Sequence, residues 1–139
     1  MSQSNTQQGI IVLESASNLT GMEGRLATIT NIGGKAKFAQ INAPSPTNAF
    51  VVIDGDAIGK TTAAMPLSPD RSVRILLQGT CEPGDVLVTS DVSAGGGGQV
   101  RKLPTDAGTY PVIGIAEESG VNNQLVKVRP TVLPTRTVE

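Results

Sequence analysis

Short apolar runs separated by glycine, proline and polar residues recur along the chain at close intervals. The continuous apolar run 50–53 predicts a buried strand, and the run 9–13 predicts a strand that is buried on both faces or paired at an interface. The alternation of polar and apolar side chains in residues 37–41 predicts a half-buried strand. The predicted strands are residues 9–13, 25–30, 37–41, 50–53, 72–77, 86–89, 100–103, 111–116 and 125–128. No capped apolar pattern at helical spacing is longer than about three turns. The sequence therefore predicts an all-β fold, a small barrel or sandwich of about ten short strands.

The predicted β domain lies between two ends of different character. A chain of 139 residues is of ordinary size for one domain with one core. Residues 1–8 are polar and predict a flexible N-terminal arm, residues 9–130 the single β domain, and residues 131–139 an extended C-terminal tail. Within the domain, the glycine run 95–98 predicts a mobile loop, and residues 54–55 (Asp-Gly) predict either a tight turn or a bulge.

The two halves of the predicted domain share a sequence pattern. Residues 24–32 and 84–92 both begin with glycine, continue through a β-rich run, and reach Asn or Asp followed by an aliphatic residue. Further matches pair Phe38 and Ile41 with Val100 and Leu103, residues 50–53 with 111–113, and residues 73–75 with 126–128. Two interpretations stay open: a duplicated β-unit whose copies pack into one core, or chance agreement between two meanders with similar turns.

Composition narrows the chemistry that the domain can carry. The chain has no histidine, which excludes Ser-His-Asp and Cys-His catalysis and zinc sites that depend on imidazole. Cys81 is the one cysteine, so CxxC motifs are excluded, and we predict that it is a small buried hydrophobe. With no tryptophan, one tyrosine and two phenylalanines, the core must be aliphatic and few rings remain to stack on sugars or bases. No catalytic residue, metal ligand or cofactor is predicted.

Charge and hydropathy narrow the choice of partners. The net charge is −1 and the basic residues are scattered, which is not the pattern of a nucleic-acid-binding surface. No apolar run approaches the roughly 20 residues of a membrane span, and residues 1–8 lack the basic and apolar regions of a secretory signal. We therefore expect neither nucleic acid nor a membrane as a partner.

Three short fragments resemble known sites but do not fit them. Residues 59–61 (Gly-Lys-Thr) look like the end of a phosphate-binding loop, yet Asp54 stands where that motif needs glycine. A calcium loop that started at Asp54 would place Met65 where a bidentate glutamate is required. Residues 117–118 (Glu-Glu) are interpreted as a solvated strand end and not as a paired-carboxylate site.

A specific order of strand motifs occupies the second half of the chain. Residues 83–88 read Pro-Gly-Asp-Val-Leu-Val, a glycine-rich segment leads to residues 102–104 (Lys-Leu-Pro), and residues 111–117 (Pro-Val-Ile-Gly-Ile-Ala-Glu) precede residues 125–128. In this order the motifs resemble those of the capsid decoration, or cement, proteins of tailed bacteriophages. Two departures are an Ile-Gly-Ile where that family tends to have Val-Gly-Val, and residues 61–70, which match no part of its pattern.

The resemblance implies a β-tulip-like fold without enzyme activity, a homotrimer, and the major capsid protein as partner. The protein is then expected in the virion, on the outer capsid surface, after synthesis in the cytoplasm of the bacterial host. There it would stabilise the phage head by bridging capsomers. We expect contacts with the capsid or with other subunits from the two ends of the chain, at Ser2, Gln3, Gln7, Gln8, Ile10, Val12, Thr131, Val132 and Leu133.

Two other functions fit parts of the sequence. Biotinyl and lipoyl carrier domains also duplicate a β-unit and contain Gly-Asp-Val-Leu, but Lys60 and Lys102 lack the methionine or acidic neighbours of a modified lysine. The other is a glycan-binding or hydrolase-associated module of a phage tail. The scarcity of aromatic side chains and the lack of histidine weigh against that module.

Overall fold

The computed structural model describes residues 9–41, 49–90, 97–131 and 135–139. These residues form eleven strands and no helix. The strands are β1 (Ile11–Glu14), β2 (Leu26–Ile32), β3 (Lys35–Gln40), β4 (Phe50–Asp54), β5 (Thr61–Pro66), β6 (Val73–Leu76), β7 (Val86–Thr89), β8 (Val100–Lys102), β9 (Gly108–Ala116), β10 (Leu125–Pro130) and β11 (Thr135–Val138). The predicted all-β fold, a small barrel or sandwich of short strands, is confirmed.

The strands form two antiparallel sheets, one from each half of the chain. The first sheet has the order β1-β5-β4-β2-β3, and the second has the order β6-β10-β9-β7-β8 with β11 added on β9. The two orders are the same when the strands are counted from the start of each half. We term residues 11–66 the first unit and residues 73–130 the second unit. A shared strand order of this complexity favours duplication over chance agreement between meanders.

Backbone hydrogen bonds recur at equivalent positions in the two units. A glycine just before the second strand of each unit donates its N–H to the fourth strand, Gly24 to Val52 O at 2.9 Å and Gly84 to Ala116 O at 2.8 Å. A parallel bridge also joins the end of the first strand to the third strand of each unit. The bridged pairs are Ser15 with Phe38 and Leu77 with Val100. Because the first and third strands lie at opposite ends of the sheet order, each sheet curls until its outer strands meet.

The turn before the last strand of each unit needs a residue with a left-handed backbone. Gly59 supplies it in the first unit with φ 84°, and Asn123 supplies it in the second with φ 66°. Asparagine enters this region more readily than most residues other than glycine. Two residue types thus meet one conformational requirement at equivalent positions.

The predicted repeat is confirmed in its first part and wrong in two later parts. Residues 24–30 align with 84–90, and Phe38 aligns with Val100. Residues 50–53, however, correspond to 114–117 and not to 111–113. The match of residues 73–75 with 126–128 is also wrong, because β6 is the counterpart of β1 and β10 is the counterpart of β5. β5 was not predicted, because Ala63 and Ala64 have low β-propensity, and without it the last strand of the second half was matched to the wrong strand.

Each unit buries a small core at equivalent positions. The first unit buries five residues in one cluster, and all five counterparts are buried in the cluster of the second unit. The equivalent pairs are Leu19 and Cys81, Ala27 and Leu87, Phe38 and Val100, Val52 and Ala116, and Ala64 and Val128. At three of these pairs the larger side chain belongs to the first unit, and at the other two it belongs to the second. The differences in volume therefore offset one another, and each core stays filled. The core is mainly aliphatic, as composition predicted.

The outer face of the first sheet packs on the second unit. Leu26 belongs to the same buried cluster as the core of the second unit, and Met65 packs against that cluster. Backbone hydrogen bonds cross between the units as well, from Leu76 N to Gly24 O at 2.8 Å and from Leu26 N to Gly98 O at 2.7 Å. The cluster of the second unit therefore continues onto the outer face of the first sheet, whereas the five-residue cluster of the first unit is separate from it.

Two loops have conformations that differ from those predicted. The register of β4 and β5 shifts between Val52 and Asp54, so a bulge lies at Ile53, one residue before the position predicted. Gly55 instead begins the connection between the two strands, residues 55–60, which is longer than a tight turn. The glycine run was expected to be mobile, but Gly97 O accepts a hydrogen bond from Arg25 Nη1 at 2.9 Å. Because Gly98 O is also bonded to the first unit, residues 97–98 are held in place. The rest of that run lies outside the described residues.

Candidate interaction surface

The residues predicted as contacts lie partly within the described structure. Ile10 and Val12 have 46% and 57% of their surface exposed. Thr131 is half-buried, and its Oγ1 is buried without a hydrogen-bond partner among the residues described. The predicted arm and the remaining predicted contacts lie outside the described residues; these contacts are Ser2, Gln3, Gln7, Gln8, Val132 and Leu133.

Ile10 and Val12 belong to a larger apolar patch on the outer face of the first sheet. Val12 lies directly opposite Ala63 across β1 and β5, so their side chains share one face. Met65 projects to the same face two residues further along β5. Ile53, the extra residue of the bulge in β4, is 42% exposed and lies with Met65 on the wall of one cleft. We term Ile10, Val12, Ile53, Ala63 and Met65 the outer patch.

The same positions of the second unit carry a hydroxyl and four charged groups. We term these residues the charged counterpart; they are Ser72, Arg74, Glu117, Lys127 and Arg129. Arg129 Nη2 lies 3.3 Å from Glu117 Oε2, and the Ser72 hydroxyl donates to Glu117. Arg74 Nη1 lies 2.6 Å from Oε1 of the neighbouring Glu118. One backbone arrangement thus carries ion pairs in the second unit and exposed aliphatic side chains in the first.

These contacts lower the pKa of both glutamates. The hydrogen bond from the Ser72 hydroxyl is the main cause for the pKa of Glu117, and the Arg129 guanidinium adds to it. For Glu118, the pKa is lowered first by the hydrogen bond from Arg74 and then by the Lys127 N–H, which donates at 3.0 Å. The predicted solvated strand end is therefore a surface site, with Glu117 exposed and Glu118 half-buried, at which both carboxylates have defined partners.

We expect the contribution of this network to disappear in acid. A lowered folded-state pKa means that the charged carboxylates stabilise the fold above their unfolded pKa, near 4.5, and that this stabilisation is lost as the pH falls through the lower folded-state pKa. The melting temperature of wild type should exceed that of Glu117→Gln/Glu118→Gln at pH 7, and the difference should vanish near pH 2. Glu82→Gln, at an exposed site outside the network, serves as the control. A difference that stays constant from pH 7 to pH 2 would contradict the assignment.

A shallow cleft of about 260 Å³ lies between the outer patch and the second unit. Ile53 and Met65 line one side, and Val73, Arg74 and Leu125 line the other. Leu125 is itself 41% exposed. The cleft is slightly smaller than the roughly 300 Å³ at which small-molecule sites usually begin. It therefore extends the apolar surface of the patch toward the second unit.

The remaining candidate groups lie in a turn, in an ion pair and in the core. The Lys60 N–H donates to Ala57 O at 2.9 Å and so closes a turn, and β5 begins at the next residue. Lys102 Nζ lies 3.6 Å from Asp85 Oδ2. Cys81 is 4% exposed, as predicted, and burial raises the pKa of its thiol. No group of three or more His, Cys, Asp or Glu side chains within the described ranges is placed to hold a metal ion.

The second unit has an extension that the described part of the first unit lacks. The beginning of β9, residues 108–111, pairs with β11, which comes from the predicted C-terminal tail. Residues 135–137 of β11 are exposed. Isolated two-stranded ribbons are only marginally stable in water. The C-terminal strand is thus attached at one edge and presents its other side to solvent.

The fold defines the class of protein as a duplicated all-β domain whose two five-stranded units follow one strand order. No family model and no curated protein matches the sequence. Among solved structures, the chain is similar to the N base of the head fiber gp8.5 of bacteriophage phi29, with a TM-score of 0.63 and 19% sequence identity. The similarity covers 88% of this chain and 92% of that chain, and at this identity it establishes a shared fold. Within the described ranges, no helix has the length and apolar character needed to cross a membrane.

Proposed function

We propose that the protein is a structural component of a tailed-phage head, a decoration protein that binds the outer surface of the shell and has no enzyme activity. The observation that carries this proposal is the fold shared with a head fiber base over 88% of the chain. The order of strand motifs in the second half supports the same function independently, because it resembles that of capsid decoration proteins.

The proposed mechanism is mechanical. Packaged DNA pushes the shell outward, and a protein that bridges neighbouring capsomers must be detached before those capsomers can separate. In the proposed homotrimer, each copy needs only a modest contact, since linked contacts reinforce one another through their high effective concentration. The aliphatic core and the absence of histidine suit a binding role better than turnover of a substrate.

Binding to undecorated phage heads tests the proposal directly. The purified protein should sediment with the heads and add ordered density outside the shell in electron micrographs. Recovery of all the protein in the supernatant at micromolar concentration would contradict the proposal. So would density confined to the inside of the shell or to the tail.

Deletion of residues 1–8 should weaken attachment to heads and leave the fold intact. The arm precedes the first strand, so its loss removes no described core residue. We expect an unchanged circular-dichroism spectrum and melting temperature, with a dissociation constant about tenfold higher, the loss of about 1.4 kcal/mol of contact. A variant with residues 2–8 in scrambled order controls for length. Equal occupancy of heads by the deleted and full-length proteins at limiting concentration would rule out an attachment role for the arm.

A further inference from the structure

We infer that the outer patch is the face through which the protein docks on an apolar area of a shell protein. This inference rests on the proposed function and assigns it to a specific surface. The patch is built from Ile10, Val12, Ile53, Ala63 and Met65, and its three most exposed members have 46%, 57% and 42% of their surface accessible.

The second unit serves as an internal reference for what this fold requires at these positions. Its charged counterpart occupies the same strands in the same register and forms ion pairs in solvent. Arg74 stands where the first unit has Val12, and Glu117 stands where it has Ile53. Since the backbone accepts charge here, folding alone does not require aliphatic side chains at the exposed positions of the first unit.

Packing between the units explains why some, but not all, residues of the patch are apolar. Met65 packs against the core shared with the second unit, and so contributes to folding. Val12 and Ile53 stay exposed although the second unit covers the neighbouring part of the same sheet face. Contiguous exposed apolar side chains are typical of protein interaction sites. The exposed part of the patch therefore adjoins the packed interface between the two units. A further protein can bind there and cover more of the same sheet face.

The size of the patch favours a shell over a second copy of the chain as its occupant. A stable pairwise interface takes about 20–30 residues and about 800 Å² on each partner. The patch offers five residues and the adjoining cleft a few more, which is too little to hold two copies together. A shell presents many equivalent sites, so contacts of this size become effective when several are made at once.

The partner surface is expected to be apolar as well. Burying a charged group against Val12 and Ile53 without a counter-charge would cost more than the contact gains. Asp54 is the nearest acidic neighbour in β4, and it is exposed. The docking contact is thus an apolar centre with a polar rim, the usual arrangement in protein interfaces.

The test copies the charged residues of the second unit onto the first. Full-length Val12→Arg/Ile53→Glu places the introduced guanidinium in reach of Asp54, the position equivalent to Glu118, with which Arg74 pairs. The matched control, Ile58→Arg/Val121→Glu, makes the same chemical change at turn residues that are 67% and 60% exposed and lie off the patch. Binding to undecorated heads is measured by sedimentation over a concentration series, and folding by circular dichroism. We expect wild type and control to bind alike, and the patch variant to bind roughly tenfold or more weakly while melting within a few degrees of wild type.

Each outcome has a separate meaning. Equal binding by wild type and the patch variant would overturn the docking face and leave the proposed function standing. Absence of wild-type binding would overturn both. A lower oligomer mass for the patch variant by light scattering would place a second copy on the patch and overturn the shell as its occupant. If the two charged side chains unfold the chain, Val12→Thr/Ile53→Thr keeps the β-branched shape and removes apolar surface, and the same loss of binding is expected.

Discussion

Replacement of Phe38 by alanine should lower the free energy of unfolding by about 3–5 kcal/mol. Phe38 has none of its surface exposed, and its ring lies edge-on to that of Phe50 with 5.5 Å between centroids. It is the largest side chain of the first-unit core, so alanine leaves a cavity beside small neighbours such as Ala27 and Ala64. Urea unfolding followed by circular dichroism measures the change, with an unchanged m-value expected.

Val100→Ala is the matched control for Phe38→Ala, since Val100 occupies the equivalent position of the second unit. It removes fewer atoms and should cost about 2 kcal/mol. A cost for Phe38→Ala below that for Val100→Ala would mean that the cluster around Phe38 contributes little to the stability of the fold.

Replacement of Gly55 by alanine should destabilise the fold by about 3 kcal/mol or more, because the added atom collides with backbone. A Cβ at this position would lie 1.9 Å from Leu19 O and 2.9 Å from Leu19 C. Leu19 is 1% exposed and its N–H donates to Asp56 O at 2.9 Å, so it cannot move without disturbing the core and the connection between β4 and β5. The change is measured as a fall in urea midpoint and in melting temperature.

Gly59→Asn provides the control for Gly55→Ala. Gly59 has φ 84° and open space around its Cβ position, and the equivalent residue is Asn123. Asparagine should therefore be accepted at a cost below about 1 kcal/mol. If Gly55→Ala proved as stable as Gly59→Asn, the close approach of Leu19 would not be a constraint on the fold.

Much of the fold could be predicted because turns and alternating strands leave local signals. Residues 86–89 were predicted with the observed bounds, since a Pro-Gly turn precedes an uninterrupted β-rich run. β5 was missed because Ala63, Ala64 and Pro66 have low strand propensity, and its stability comes from pairing with β1 and β4. β11 was interpreted as part of an extended tail, because its pairing with β9 is a tertiary contact without a local signal.

The candidate surface was predicted in part. Ile10 and Val12 were predicted as contacts near the N-terminal end of the chain; both are exposed, and their contact with a partner stays a prediction. Ile53 was interpreted as part of a buried strand, and only the bulge turns it outward. A correct alignment of the two halves would have provided the missing signal, because it sets Ile53 against Glu117 and Val12 against Arg74. That alignment depends on strand register, which long-range pairing determines.

If the protein bridges capsomers as proposed, it has two surfaces of different character for doing so, one on each unit. The second unit presents charged, paired side chains to solvent, whereas the first presents aliphatic ones. Duplication allows such a difference, because one copy can change its surface while both keep the core positions that specify the fold. The head-binding experiments with patch and control variants test whether the protein uses this difference.

The strand order also has a consequence for how the chain acquires its shape during synthesis. In each unit the first strand pairs with the last, so neither sheet can close until its fifth strand has left the ribosome. The first unit is complete at Pro66 and the second at Pro130. Pairing between such distant segments is slow, typically milliseconds to seconds for small β proteins. We therefore expect the nascent chain to fold in two stages. The sheet of the first unit can form before the second unit has been synthesised, and the second unit can then pack on it.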